Sequence, residues 1–446
     1  MSKSYNLEVN RMAATPKAYK VSKADFYSNQ GLVVKIGGII KDIKVKESLY
    51  TSSLIVDLFI LDSIPLIDYL KIAGNEKIEL VIERRDIKSK ENKQFKLEVY
   101  VAEIRDYSTP TPASKAYTLH CVSKHAYINN VKVLTRSFNN TPSFLINSIV
   151  TGELDSKIDI RTSSTTAIKG IYPRIRPLAA ISWLIRNAFE DGTPSYFYET
   201  AKSGLVFDSY KKILDKEVYD TYDNNPNYKE SSLNSMEDLY EEERKKIQKI
   251  LGQTLNLSKY NAIGAGAFGS TLHKIDIYNK KSNKVDWSYS DSINKLNKNP
   301  PITDKIKIDG SKINDHKAGK NYFISYNSGS FTNFKNYHAP TDQSILKAEA
   351  YHHNLNTIKQ ELLLTGDFDL EVGTVIDLKL LKQADVTQEI IAGEEKKDET
   401  LSGKHLITGI VHHFGSDGYF MSVTAKKDSF IKELEGIGGK KNDTAT

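Results

Sequence analysis

The chain has 446 residues, of which 39% are hydrophobic and 26% charged, a composition that excludes a disordered polymer and predicts about two to four folded domains. Its 62 Lys plus Arg against 56 Asp plus Glu leave a formal charge of +6, which is weak for a nucleic-acid binder of this size. A single cysteine, Cys121, excludes an intrachain disulfide and a four-thiolate zinc site. No run reaches the ~18 apolar residues of a membrane span, and Met1 to Lys20 has no apolar signal core, so synthesis in the cytoplasm is expected.

The amino-terminal part reads as all-β with one short helix. Leu32, Val34, Ile36 and Ile40 share one parity, as do Leu54, Val56, Leu58 and Ile60. This predicts a hairpin from about Asn29 to Asp62, connected through the polar Lys46-Glu47-Ser48. A helix follows between Asp62 and Gly74, with Pro65 for its start and the glycine for its cap. Strands are predicted over Lys77 to Glu83 and Phe95 to Ile104, and Thr109-Pro-Thr-Pro-Ala113 breaks the pattern. Residues 1–113 form the first predicted domain.

Residues 114–253, together with 290–340, read as an α/β insertion. Tyr117 to Val122 alternates as a strand, and Cys121 within it reads as a buried, inert thiol. Thr141-Pro142 opens a helix over Phe144 to Val150. Arg176-Pro177 opens another, with Leu178, Ile181, Ile185 and Ala188 as its stripe. The hairpin Ser195 to Thr200 with Leu205 to Asp208, turned at Lys202-Ser203-Gly204, is the sheet those helices need. A charged helix is predicted from Ser235 to Leu251, on the capping-box pattern Ser235 to Asp238.

The first pattern then returns. Ser270 to Tyr278 and Val285 to Tyr289 predict a hairpin, a Lys-rich stretch from Asp291 to Tyr337 interrupts, and a helix begins near Thr341 with the stripe Ile345, Ala348, Tyr351, Leu355, Ile358 and Leu362. Strands follow at Leu363 to Phe368, Thr374 to Leu380, His405 to Phe414 and Tyr419 to Lys426. Hairpin, helix and strands in the order of Asn29 to Ile104 predict a second copy of one small barrel over 254–289 plus 341–432. The fold class is therefore α+β, mainly β: two β-barrel domains with α/β insertions and a disordered tail over 433–446.

No catalytic, cofactor-binding or metal-binding residue is assigned. Gly264-Ala-Gly-Ala-Phe-Gly269 matches the dinucleotide fingerprint in letters, but a strand, Thr271 to Ile277, follows where a helix must begin, so close backbone packing is expected and no nucleotide. His352-His353 and His412-His413 are adjacent pairs. Neighbours point about 100° apart on a helix and to opposite faces of a strand, so neither pair chelates one ion. The acids from Glu237 to Glu243 precede Arg244, Lys245 and Lys246 as ordinary helical charge pairing. The lysines from Asn279 to Lys320 lack the interleaved aromatics of a single-strand groove. With no nucleophile elbow, phosphate loop or kinase signature in the chain, the reading is a protein that is not an enzyme.

Two stretches carry a resemblance. The helix Arg176 to Phe189 followed by Ser195 to Phe207, and Ser402 to Phe414 preceded by Gly366 to Val375 and followed by Gly418 to Lys427, resemble the baseplate central hub proteins of T-even-type contractile phage tails. They are similar also to late control D proteins and to the hub part of type VI secretion VgrG spikes. The resemblance covers Asn29 to Ser429. It implies tail-tube-like barrels and a homotrimer whose two barrels per subunit make a pseudo-sixfold ring, a symmetry adaptor between a threefold central spike and a sixfold tail tube that lets DNA pass. It further implies contacts with tube or tube-initiator proteins, a tape measure protein and other baseplate proteins, a place in the virion tail after assembly in the host cytoplasm, and no specific nucleic-acid binding or membrane insertion. The hub of a related contractile injection system or type VI spike, and a tail-associated wall-degrading enzyme, are the alternatives. Partner contacts of the insertion 291–337 and of the loop Gln383 to Leu401 are where the resemblance says least.

Overall fold

The computed structural model describes residues 17–85, 92–164, 167–186, 188, 193–224, 242–256, 259–277, 280–288, 307–308, 310–312, 319–325, 339–381 and 397–429. The predicted tail beyond residue 432, most of the insertion 291–337, most of the loop 383–401 and the start of the predicted helix at Ser235 lie outside the described residues.

The strands are, in chain order, β1 (Lys20–Tyr27), β2 (Val33–Lys35), β3 (Ile40–Ser48), β4 (Ile55–Asp62), β5 (Lys77–Arg85), β6 (Asn92–Thr111), β7 (Ser114–Ser123), β8 (Ser137–Asn140), β9 (Ile158–Ile160), β10 (Ile168–Ile171), β11 (Ser195–Thr200), β12 (Gly204–Ser209), β13 (Thr221–Asp223), β14 (Ile247–Leu255), β15 (Gly269–Asp276), β16 (Lys281–Ser288), β17 (Lys307–Ile308), β18 (Ser311–Lys312), β19 (Lys320–Ser325), β20 (Ile358–Thr365), β21 (Val375–Lys379), β22 (Gly403–Gly415) and β23 (Gly418–Lys427). With the helices they make an α+β protein that is mainly β, as expected.

Most strands join one 13-stranded sheet, ordered β14-β20-β23-β22-β3-β4-β7-β6-β5-β1-β2, with β21 on β22 and β13 on β21. Two separate barrels were expected, and no closed barrel is found among the described residues. The physical reason lies in β22. One edge of this strand pairs with β23; the other pairs with β21 over Gly403 to Leu406 and with β3 over Gly409 to Phe414. The carboxy-terminal strands are thereby hydrogen-bonded into the amino-terminal ones, and a single hydrophobic core runs from Ala24 to Ala425.

The duplication survives with different boundaries. Numbered along the chain, β3, β4, β5, β6 and β7 lie side by side in the order 1-2-5-4-3. So do β14, β20, β21, β22 and β23, antiparallel throughout. The predicted second hairpin, now β15 and β16, is not part of this unit. It forms a separate sheet with β19, packed on the helix Ala339–Leu355 through Phe268, Leu272, Trp287, Leu346 and Ala350. Residues 256–357 are thus inserted between the first and second strands of the second copy.

Three local readings are also corrected. Ser235 to Leu251 was expected to be helical throughout, but residues 247–255 are strand β14, because the open edge of β20 supplies a ladder. Of the two Thr-Pro steps, Thr109-Pro110 lies inside β6, where its pairing with β7 is irregular and a proline without an N–H is tolerated, while Thr111-Pro112 ends the strand, with the turn to β7 at 112–113. The hairpin connection follows Ser48, so Glu47 lies inside β3 and is buried. The predicted helices at Pro142 and Pro177 are present as Pro142–Gly152 and Pro177–Ile185, each with its proline in the first turn. Their Ile146, Ile149, Ile181 and Leu184 pack on Phe197, Leu205 and Phe207 of the β11/β12 hairpin, as anticipated. The other face of that hairpin, Tyr198 and Val206, enters the main core.

Candidate functional site

The two stretches that carried the resemblance meet at one place, the turn between β11 and β12. Glu47 of β3 accepts the Ala201 amide at 2.6 Å and the Val372 amide at 3.4 Å. Glu371 accepts the Thr200 hydroxyl at 2.9 Å and the Ser203 hydroxyl at 2.6 Å, with Arg161 at 3.3 Å. Lys202 pairs with Asp369 at 3.0 Å. Glu199, whose carboxyl burial pushes upward, accepts the Leu54 amide at 2.6 Å and the Ser123 hydroxyl. Carboxylates from both copies therefore hold the insertion against the sheet, with desolvated charges bonded to amides and hydroxyls.

The glycines of Gly366 to Val375 have a packing reason. A Cβ on Gly366 would lie 2.0 Å from the Tyr419 ring, and Gly373, at φ +79°, leaves room for the Tyr198 hydroxyl. Phe368 between them stacks on Phe95 of the first copy at 4.1 Å. Beside it His412 and the Tyr419 hydroxyl lie 2.8 Å apart, and that hydroxyl donates to the Asp367 carbonyl at 3.1 Å.

The opposite face of the long sheet carries alternating charges that satisfy one another. Asp57 takes Lys46 and His120, each at 2.6 Å; burial alone would raise its pKa, but these two bonds hold it below the ordinary value. Glu79 receives Lys23, Lys77 and the Tyr27 hydroxyl, which together lower its carboxyl to about 2. Lys44 pairs with Asp42, and Lys359 with Glu361. At the rim Phe59, Leu251, Leu363 and Phe420, with Lys41, Asp42, His413 and Asp417 among the other lining residues, line a trough of about 690 Å³.

The remaining sequence features are dispersed. Gly264 ends the helix Lys259–Gly264, and β15 begins at Gly269, so no helix starts from the glycines. Gly266 has φ +81° and Gly319 packs against the Ile263 carbonyl, which is close backbone packing. His412 faces the core while His413, on the other face, lies beside Ser422; His352 is exposed beside Tyr50. Among the described residues no group of three or more His, Cys, Asp or Glu could hold a metal. Cys121 is buried, and desolvation pushes its thiol pKa up. Arg244 bridges Asp220 and Asp367, each at 2.6 Å, tying the insertion to the second copy, while the acids 237–241 lie outside the described residues. Sequence reasoning missed Glu47 and Arg244, since a lone charge in a polar stretch gives no sign that it will be buried.

No protein-family model matches the chain, and no curated protein matches its sequence. Solved structures do match. The prophage MuSo2 43 kDa tail protein from Shewanella oneidensis aligns with a TM-score of 0.51 at 13% identity, over 92% of this chain and 99% of that one. The tail protein from Neisseria meningitidis MC58 aligns at 0.52 and 9% identity, over 92% and 97%. Prophage tail protein gp18 from Listeria monocytogenes EGD-e aligns at 0.47 and 8% identity, over 92% and 95%. The chain shares the fold of the first two along nearly their whole length.

Proposed function

We propose that the chain is a structural component of a contractile phage tail, the hub of its baseplate, whose three copies close a ring between a threefold central spike and the sixfold tail tube. The observation that carries this reading is the 1-2-5-4-3 strand order, repeated twice in one continuous sheet. A chain with two like units in line supplies six like positions in a closed trimer, so one ring can meet a threefold partner on one side and a sixfold partner on the other. The likeness in fold to two tail proteins supports the same reading.

The ion-paired face would line the channel. Lys46, Lys77, Lys44 and Lys359 are already matched by Asp57, Glu79, Asp42 and Glu361, which lowers the number of cations that DNA passing along the face could meet. The trough at the rim offers a stacked tube or spike protein surface to bury. None of this asks for catalysis.

Light scattering on the purified protein, alone and with the spike protein of the same tail, tests the proposal. A trimer in at least one sample is expected. A monomer in both contradicts the ring.

A further inference from the structure

We propose that residues 103–105 of β6 receive residues 254–256 of β14 from a neighbouring copy, antiparallel, repeating between chains the seam that β22 and β3 form within one. This rests on the ring reading and specifies its interface.

The registers of the two copies lead there. In the second copy, β21 pairs with β22 only as far as Leu406; in the first, β5 pairs with β6 only as far as Tyr100. Each fourth strand then bulges against the fifth, between Ile407 and Gly409 and between Val101 and Glu103. Tyr100 thus corresponds to Leu406, and Glu103 to Gly409. Beyond its bulge β22 takes β3 as partner, Gly409 opposite Ser48, Ile410 opposite Glu47 and Val411 opposite Lys46. Beyond its own bulge β6 is exposed at nearly every residue to Thr111, and that edge carries no strand among the described residues.

The first strands correspond equally well. Val122 matches Lys426, because they face Tyr100 and Leu406; Ile55 then matches Lys359, and Lys46 matches Thr254. The bulge between Ile40 and Asp42 faces the same ladder step as the bulge between Ile247 and Lys249, and β14 has one further bulge, between Ile250 and Gly252, that β3 lacks and that lies before Thr254. Glu47 and Ser48 therefore correspond to Leu255 and Asn256. β3 is enclosed in the seam, but β14, the same strand of the second copy, is bonded on one edge only among the described residues.

Carrying the seam across places Glu103 opposite Asn256, Ile104 opposite Leu255 and Arg105 opposite Thr254 of the next chain. The chemistry fits. Ile104 is half-buried at the margin of the main core, and Leu255 is 48% exposed, so the pairing would cover an apolar side chain the single chain leaves in water. The open edge of β14, at one end of the sheet, and the stretch of β6 left uncovered beyond the end of β5 are different surfaces, so their pairing is head-to-tail and closes a ring when the rotation per copy allows.

Cysteines at Ile104→Cys and Leu255→Cys in one chain test the register, since directly opposed residues lie within disulfide reach. Mild oxidation of the assembled protein should give covalently linked trimers on a denaturing gel, and the displaced pair Ile104→Cys with Lys249→Cys should give far fewer. Buried Cys121 stays out of the reaction. Hydrogen exchange on the unmodified protein is the second readout: amides at 103–105 and 254–256 should exchange at least tenfold more slowly in the trimer than in the monomer. A trimer that neither cross-links through 104 and 255 nor protects these amides overturns the seam and leaves the ring standing. A chain that never assembles overturns both.

Discussion

The two copies share a strand order, and a two-residue turn between the fourth and fifth strands, but their first two connections differ. In the first, β3 turns into β4 within a few residues; in the second, residues 256–357 intervene between β14 and β20, with a helix and a small sheet of their own. The first has the short helix Leu66–Leu70 between its second and third strands, where the second has Gly366 to Thr374, bound to the β11/β12 turn. Ladder partners are constrained by hydrogen bonds and by the parity of a buried face. Loop length costs little once the strand ends are fixed. The second copy could therefore acquire its insertion without disturbing the sheet.

Glu47 and Leu255 occupy the same place in the two copies, one inside a formed seam and one at an open edge. Glu47→Ala should cost the isolated chain about 2 to 4 kcal/mol, because the Ala201 and Val372 amides lose a buried acceptor; the urea midpoint of unfolding reads this. Equal stability of wild type and variant would show that the seam is not held there.

The end of the fifth strand gives the next contrast. Ser123 of the first copy lies among the bonds to Glu199, but its counterpart Lys427 is buried, with its ammonium on the Ser402 carbonyl. Burial lowers the Lys427 pKa to about 8, below the value near 10.4 of an unfolded lysine. Between those values the unfolded chain holds the extra proton, so this group's contribution to stability rises with pH. Against Lys427→Met, the wild type should gain about 1 to 3 kcal/mol between pH 7.5 and pH 10.5, measured by urea midpoints. An unchanged difference contradicts the buried charge.

Leu255→Ala belongs lower on the scale. It should change the unassembled chain by less than about 0.5 kcal/mol, since the side chain is half in water, while lowering the fraction of trimer at a given concentration. A large loss of monomer stability would mean that β14 is buried in the monomer itself. The smallest effect concerns Glu79. Its depressed pKa contributes stability above the unfolded value near 4.3, which is lost as pH falls towards 2, so wild type and Glu79→Gln should converge over that interval.

How far the sequence could be read depended on bulges. Leu54, Val56, Leu58 and Ile60 alternate without interruption, and their strand and its buried face were legible. β1 was missed, since a register shift between Val21 and Lys23 moves the apolar parity from Val21 to Ala24 and Phe26. β14 was misread as helix for the same cause: register shifts on either side of Lys249 leave Ile247, Ile250 and Leu251 at spacings of three and four, the signature of a helical stripe. The repeat was visible as a motif order, but its true members were hidden, because hairpin β15/β16 looks locally like the pair β3/β4 and only long-range pairing tells them apart. Of the junction, Gly366 to Val375 was recognisable as a motif, whereas Glu47 and Arg244 were not.

Two like units in one sheet should build a closed ring of three chains, and electron microscopy of the assembled protein viewed down its axis would show that ring. The class averages should show a hollow ring with threefold symmetry and a strong sixfold component, successive units about 60° apart. An open filament, or a trimer whose second copy lies off the ring, would contradict it.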